Sequence, residues 1–264
     1  MENIPIFSDA NRMLSFKAIE YASNLALLGV KNIGTRLYLY GRIPISPDWL
    51  LQFPQSKTLY EAIIVNNQNA AELLTSQWIE KQAPIHNDRW TIFLNKNWER
   101  KSFSSAPYKL YVNLHPDSIL DEFNTVVNHF ATFDVPIFKF SKDVFNLLRP
   151  DKIVAYLMDF NTLITLGKAL SVALKSAKVQ PLPFTAAFDE SGVVSCGFDP
   201  PAKLTQSFAA TSWRSVITEL IARALSEGYR SNMARKELVQ NVNFKLDAIG
   251  IDTEKWLPKV FYNL

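Results

Sequence analysis

The sequence has little of what metal sites and membrane spans require. Its 264 residues include one cysteine, Cys196, and three histidines that form no His-x-x-x-His pair, so we expect neither a disulfide nor a zinc site. No apolar run approaches the roughly 18 residues of a transmembrane helix, and the first ten residues lack the layout of a signal peptide. We therefore expect a cytoplasmic protein with no metal and no membrane contact.

Nucleotide-binding motifs are also missing. The 8 glycines are scattered singly, so the sequence contains neither a dinucleotide fingerprint nor a phosphate-binding loop. It also lacks the nucleophile elbow of hydrolases and the catalytic-loop signature of kinases. We expect no nucleotide or other cofactor.

The net charge is +3 and is unevenly distributed. Residues 203–245 contain seven cations and three anions. This surplus of four is too diluted by apolar residues to indicate a nucleic-acid surface, because duplex-binding proteins show a denser basic stripe. It fits the phosphate of a peptide or small molecule better.

Hydrophobic residues make up 48% of the chain and charged residues 20%, which is typical of a folded protein. Residues 1–85 read as a helical N-terminal part, and residues 86–264 as a main domain in which strands and helices alternate. This order predicts an α+β fold with helices packed on a mixed or antiparallel sheet. The hydrophobic periodicity predicts helices over 8–28, 59–65, 70–80, 117–130, 162–178, 212–227 and 232–249, and strands over 90–94, 108–115, 135–140, 153–157 and 193–196.

Several predicted strands carry cations. Alternation along Tyr108–His115 places Lys109 and Tyr111 on one face and leucine and valine on the other. A solvated outer face would explain this pattern as well as a binding site would. Lys139 lies between two phenylalanines, where it either extends to solvent or has a lowered pKa.

Other candidate phosphate ligands follow along the chain. Arg149 and Lys152 lie at the start of the strand 153–157, with Asp151 between them as a possible ion-pair partner. Thr185, Ser207 and Arg214 add hydroxyl and guanidinium groups, which suit a phosphate dianion. Each also has an ordinary alternative: a turn residue, a helix N-cap and a surface cation, respectively.

Five segments in order carry a family resemblance. They are YKLYVNLHPD (108–117), FKFSKD (138–143), LRPDKIVAYL (148–157), PLPFTAAFDESGVVSCGFDP (181–200) and SFAATSWRSVITELIARAL (207–225). With the tail segment AIGID (248–252), the chain resembles the HopA-type effector family. That family includes lyase-like proteins of class V lanthipeptide and thioamitide biosynthesis, remote relatives of phosphothreonine lyases.

The resemblance implies an α+β fold and a β-elimination of phosphate from phosphothreonine or phosphoserine, which leaves a dehydroamino acid and needs no metal or redox cofactor. It implies that Lys139 is the general base and that Lys109, Arg149, Lys152 and Arg214 contact phosphate.

One departure concerns the general acid. The lyase pattern Lys-x-His reads Lys109-Leu110-Tyr111 here, and His115 lies roughly 13 Å further along an extended strand. Either Tyr111 donates the proton, or the cations alone stabilise the leaving phosphate, or the protein binds without cleaving.

The sequence therefore predicts a lyase that dehydrates a phosphorylated precursor peptide. The alternatives are a phosphopeptide-binding module that partners a kinase, and an injected effector. Because nucleotide motifs are missing, a separate kinase-like protein must supply the phosphate. Residues 1–85 carry apolar side chains that either cap the core or form a surface on which the kinase-like protein docks. They are Trp49, Leu50, Leu51, Phe53, Tyr60 and Trp78.

Overall fold

A computed structural model describes residues 10–82, 90–98, 107–199 and 212–259. The described helices are α1 (Ala10–Leu27), α2 (Ile33–Tyr38), α3 (Pro47–Gln52), α4 (Ser56–Tyr60), which continues as one π-helical turn (Glu61–Val65), α5 (Gln68–Gln77), α6 (Pro116–Thr132), α7 (Val144–Leu147), α8 (Phe160–Ala173), α9 (Trp213–Arg230) and α10 (Arg235–Ala248). The described strands are β1 (Trp78–Gln82), β2 (Trp90–Asn95), β3 (Tyr108–Val112), β4 (Ile137–Ser141), β5 (Ile153–Leu157), β6 (Ala186–Ala187), β7 (Val194–Phe198), β8 (Ile251–Asp252) and β9 (Leu257–Pro258).

Seven strands form one sheet in the order β1-β2-β4-β5-β3-β7-β6, and each described pair is antiparallel. Strands β8 and β9 form a separate small hairpin. The predicted α+β fold, with a helical N-terminal part, is confirmed.

Most predicted elements are present, although several bounds differ: the helix expected over 162–178 ends at Ala173, and the strand expected over 108–115 ends at Val112. The helix expected over 70–80 ends at Gln77, because Trp78–Gln82 pairs with β2 as an edge strand. Helix α6 is capped by His115, whose Nδ1 accepts a hydrogen bond from the Asp117 amide at 3.3 Å. Asp117 lies in the first turn, where its charge favours the helix dipole.

One face of the sheet packs on a large hydrophobic core. Phe138 and Phe140 of β4 point to this face and are fully buried, and Phe138 contacts Trp78 and Phe93 with ring centroids 5.5 and 4.7 Å apart. Helices α5, α6 and α8 cover this face. Strands that alternate in this way need an apolar cover on only one side.

A second core joins the two ends of the described chain. Helices α1 and α2 pack against α9 and α10, and Phe184 and Trp256 fill the space between them with ring centroids 5.0 Å apart. These helices contact the sheet through β6 and β7. Helices from residues 1–85 therefore share a core with helices from the C-terminal region; the proposed boundary at residue 85 stays a prediction.

Among the described residues, no helix combines the length and the apolar character that crossing a bilayer requires.

Candidate functional site

Cations and aromatic rings alternate across the sheet face opposite the large core. Directly paired strand residues project to the same face, and the pairs Lys109 with Tyr156 and Lys139 with Val154 place both lysines there. Lys109 Nζ lies 5.7 Å from the centroid of the Tyr156 ring, and Lys139 Nζ lies 5.9 Å from the same centroid. The alternation predicted for β3 is confirmed at Lys109.

The alternation continues past Lys139. Its Nζ lies 4.4 Å from the Trp90 ring centroid, and the Arg149 guanidinium carbon lies 5.5 Å from the same centroid. Arg149 and Arg214 then flank the Tyr38 ring, at 5.4 and 4.7 Å. We call this set the cation row: Lys109, Tyr156, Lys139, Trp90, Arg149, Tyr38 and Arg214.

Asp151 is the acceptor that organises one end of the cation row. Arg149 donates to it through Nε and Nη2, both at 2.9 Å, and Arg214 Nη1 donates at 3.0 Å. The Tyr38 hydroxyl adds a fourth donor at 3.2 Å. Burial alone would raise the pKa of Asp151, but Arg214 and Arg149 outweigh burial and hold it below its ordinary value. The carboxylate therefore stays charged and fixes both guanidinium groups.

Arg149 and Arg214 differ in whether a guanidinium donor is available to bind a ligand. Arg214 is 1% exposed and also donates to the carbonyls of Pro183 at 3.1 Å and Tyr38 at 2.8 Å. It is a buried cross-link and not a surface cation. Arg149 is only half-buried, and within the described residues no acceptor lies at hydrogen-bonding distance from its Nη1. Arg149 can therefore still bind an anion.

Lys139 has an unusual environment for an amine. Burial lowers its pKa to about 8, the positive charges of Arg149 and Lys109 contribute, and Asp151 opposes the shift. In the part of the chain that the structure describes, its Nζ forms no hydrogen bond or ion pair and only contacts aromatic rings. Such an amine is partly neutral near neutral pH and available as a base.

Lys109 is 7% exposed and forms an ion pair with Asp199. Its neighbour on the same face, Tyr111, is 4% exposed and packs against Val154 and Leu182. Burial raises the pKa of Tyr111 well above its ordinary value. The outer face of β3 is therefore covered and not solvated.

Two other candidates lie away from the cation row. Lys152 is fully buried, and its Nζ donates to the Leu114 carbonyl at 2.6 Å and to Gln180 Oε1 at 2.5 Å. Burial lowers the pKa of Lys152 to about 7. The Thr185 hydroxyl donates to the Leu182 carbonyl at 2.8 Å and lies 3.0 Å from the Ser195 hydroxyl. The Lys152 amine and the Thr185 hydroxyl are occupied by internal hydrogen bonds, so the phosphate site proposed below does not include them.

Ser207 lies outside the described residues. Within the described part of the chain, no group of three or more His, Cys, Asp or Glu side chains is arranged to hold a metal ion.

Helix α1 supports the site through buried polar residues that the sequence did not single out. Asn11 Oδ1 accepts from the Leu182 amide at 2.9 Å, and Ser15 Oγ accepts from the Phe184 amide at 2.8 Å. Phe184 adopts a left-handed backbone, with φ of 64°, so these bonds hold the segment in a conformation that a bulky residue rarely adopts. The Pro183 carbonyl in this segment receives Arg214.

Tyr38, Trp90 and Tyr156 are the residues of the cation row that sequence reasoning missed. Tyr38 comes from a six-residue helix, and Trp90 read only as part of an apolar strand. No local signal indicated that the rings of Tyr38 and Trp90 would each have two cations within 5.5 Å of the centroid.

Comparison with known proteins supports the fold. No family model matches the chain, and no curated protein matches it. The chain is similar in structure to an effector protein from Pseudomonas syringae pv. syringae strain 61, with a TM-score of 0.56 and 13% identity over 96% of this chain and 98% of the other. An effector protein from Pseudomonas syringae pv. tomato strain DC3000 gives 0.51 and 13% over 93% and 97%. The chain shares the fold of these effector proteins. At this identity the similarity speaks to the fold alone.

Proposed function

We propose that this protein is a phosphothreonine/phosphoserine lyase-like protein that eliminates phosphate from a phosphorylated precursor peptide. The observation that carries the proposal is the Lys139 amine: its pKa is lowered to about 8, it has no acceptor among the described residues, and it contacts the same Trp90 ring as Arg149. Elimination requires a base to remove the Cα proton and positive charge at the departing phosphate.

The charge of the cation row suits a phosphate ester. Lys109, Lys139, Arg149 and Arg214 face two carboxylates, Asp151 and Asp199, which leaves two positive charges while Lys139 is protonated and one when Lys139 is the neutral base. A phosphate monoester near neutral pH carries about two negative charges. We assign phosphate contact to Arg149, whose Nη1 is available, with Lys109 as the second cation.

The leaving group needs little protonation in this mechanism. Lys139 in its neutral form accepts the Cα proton, the C–O bond to phosphate breaks, and the electron pair leaves with the phosphate as the new C=C bond forms. The Arg149 guanidinium offsets the charge that develops on the departing oxygen. Tyr111 stands where the family pattern has its general acid, and burial keeps its hydroxyl protonated.

The burial of Tyr111 also favours a second candidate. A phenol that is 4% exposed, with a pKa raised well above 10, is a poor general acid, so the same cluster would suit a phosphopeptide-binding module that does not cleave. The fold similarity to proteins described as effectors agrees with such an effector-like module.

The proposed pathway rests on the family resemblance, and the proposed partner rests on the missing nucleotide-binding motifs. We propose lanthipeptide-type peptide maturation in the cytoplasm, with a separate kinase-like protein that installs the phosphate.

Of the apolar residues predicted to cap the core or form a docking surface, Phe53 and Trp78 are buried in the core, whereas Leu50 and Leu51 of α3 are 41% and 80% exposed. We place the docking surface at α3. In full-length protein, Leu50→Ser with Leu51→Ser should abolish co-purification with the kinase-like protein; retained capture would overturn this placement.

A phosphothreonine peptide tests the activity directly. The purified protein should reduce the peptide mass by one phosphoric acid and release free phosphate, while Lys139→Met should bind the peptide and leave it intact. The matched control is Lys175→Met, which changes an exposed lysine beyond α8 on the other side of the sheet. Binding by the wild type without mass change would establish the non-catalytic module instead.

A further inference from the structure

Four apolar side chains lie on the same sheet face as Lys139 but belong to neither core. Ile79 of β1, Ile92 and Leu94 of β2, and Ile137 of β4 are each half-buried. None is part of a hydrophobic cluster formed by the described residues. We call these four residues the apolar patch.

The strand register places the apolar patch directly beside the amine. Ile92 is the cross-strand partner of Lys139, and Leu94 is the partner of both Ile137 and Ile79. Directly opposed side chains have Cβ atoms about 5 Å apart, and residues two apart on a strand are separated by roughly 7 Å. The patch therefore begins at Lys139 and extends away from it across three strands.

The cation row separates this patch from the covered part of the face. On the far side of the row, Tyr111 and Val154 are buried and pack with Leu182. On the near side, Ile137 and Ile92 remain half-exposed. A peptide whose phosphate binds Arg149 and whose Cα lies at Lys139 can therefore extend over the apolar patch.

We propose that the apolar patch binds an apolar side chain next to the phosphorylated residue of the peptide substrate, and so selects the substrate sequence. The proposal rests on the phosphopeptide function argued above. An extended peptide advances about 3.3 Å per residue, so the residue one or two positions from the phosphorylated one reaches Ile92 or Ile137. The charge of the row fixes the phosphate, and the four patch side chains offer the neighbouring residue apolar surface, which the exposed Lys81, the β1 partner of Ile92, borders.

A phosphonate peptide series tests this without turnover. The phosphothreonine ester oxygen is replaced by methylene, which cannot be eliminated as phosphate, and the two flanking residues are either both leucine or both serine. Unphosphorylated versions complete the set. Fluorescence anisotropy should show that the leucine-flanked phosphonate binds the wild type about tenfold more tightly than the serine-flanked one, as expected for burying one such side chain.

Two variants test whether the apolar patch causes the preference for leucine-flanked peptides. Ile92→Thr should remove most of the leucine preference while the preference for the phosphonate over the unphosphorylated peptide is kept. Leu94→Thr is the second variant, and circular dichroism verifies the fold of each. Val172→Thr, at a 71% exposed position on α8, is the matched control and should bind like the wild type.

The outcomes separate this inference from the function beneath it. If the phosphonate is preferred but leucine and serine flanks bind equally to the wild type, the apolar patch is not a specificity site and the phosphopeptide function stands. If both threonine variants keep the leucine preference, its location at the patch is wrong. If phosphonate and unphosphorylated peptides bind alike, the proposed function fails and the inference fails with it.

Discussion

Strand β4 shows two opposite uses of one short sequence. Phe138 and Phe140 point into the large core and are fully buried. Ile137 and Lys139, on either side of Phe138, point to the opposite face, where Lys139 belongs to the cation row and Ile137 to the apolar patch. On the core face, packing against α6 limits the size and shape of the side chains. On the other face, burial and the neighbouring charges set the protonation of Lys139. The comparison teaches that adjacent residues of one strand should fail in different assays when they are replaced.

The core face should show the largest effect. Phe138→Ala leaves a cavity among Trp78, Phe93 and Phe130, whose rings contact it, and should lower the free energy of unfolding by about 3–5 kcal/mol. Chemical denaturation measures this. A loss below about 1 kcal/mol would mean that the two faces of β4 are not separated as described.

Arg214 should behave like a core residue although it is charged. Arg214→Gln removes one partner of a buried ion pair and should lower the free energy of unfolding by about 3 kcal/mol or more. Chemical denaturation of the protein without peptide measures this loss of stability. Wild-type stability combined with weak binding would instead make Arg214 a direct phosphate ligand.

On the functional face, Lys139→Met should abolish elimination, with a loss of at least about a hundredfold, as expected when a general base is removed. Stability and phosphopeptide affinity should remain close to the wild type, because the amine has no described hydrogen-bond partner. Single-turnover phosphate release measures the rate. Equal losses of binding and turnover would reassign Lys139 to phosphate contact.

Arg149→Gln should weaken phosphopeptide binding by about 1.5–3 kcal/mol, the range for a hydrogen bond to a charged group. The wild-type affinity should also fall with added salt, because the site is only partly buried. Titration of labelled phosphopeptide at two salt concentrations measures both effects. If affinity is unchanged, the phosphate binds elsewhere.

The pH dependence should be the smallest effect. The base is the neutral amine of Lys139, whose pKa is lowered to about 8, so kcat/KM should rise by about tenfold between pH 7 and 9 and then level off. A rate that falls over this range would indicate that the charged ammonium is the active form.

The local pattern of the fold was readable from the sequence, and its long-range contacts were not. Strand β5 was predicted over 153–157 and is observed there, because its apolar run and flanking proline are local signals. Residues 78–80 were expected to continue a helix, but pairing of β1 with β2 overrides that preference.

The same limit applies to the candidate site. Alternation correctly placed Lys109 and Tyr111 on one face, and the pairing of Asp151 with Arg149 was foreseen. No local signal reveals that Tyr38, more than a hundred residues before Asp151, donates to it. For the same reason Arg214 resembled a surface cation, although the fold buries it.

The core that joins α1 and α2 to α9 and α10 affects how the chain folds during synthesis. The apolar side of α1, which includes Ala18 and Ile19, packs against Ile217 and Ile221 of α9, almost two hundred residues later in the chain. At 5–20 residues per second, α1 leaves the ribosome roughly 10–40 seconds before its partner helix. For that interval its apolar surface is exposed to chaperones, and the slowest step in folding should be the closure of this long loop.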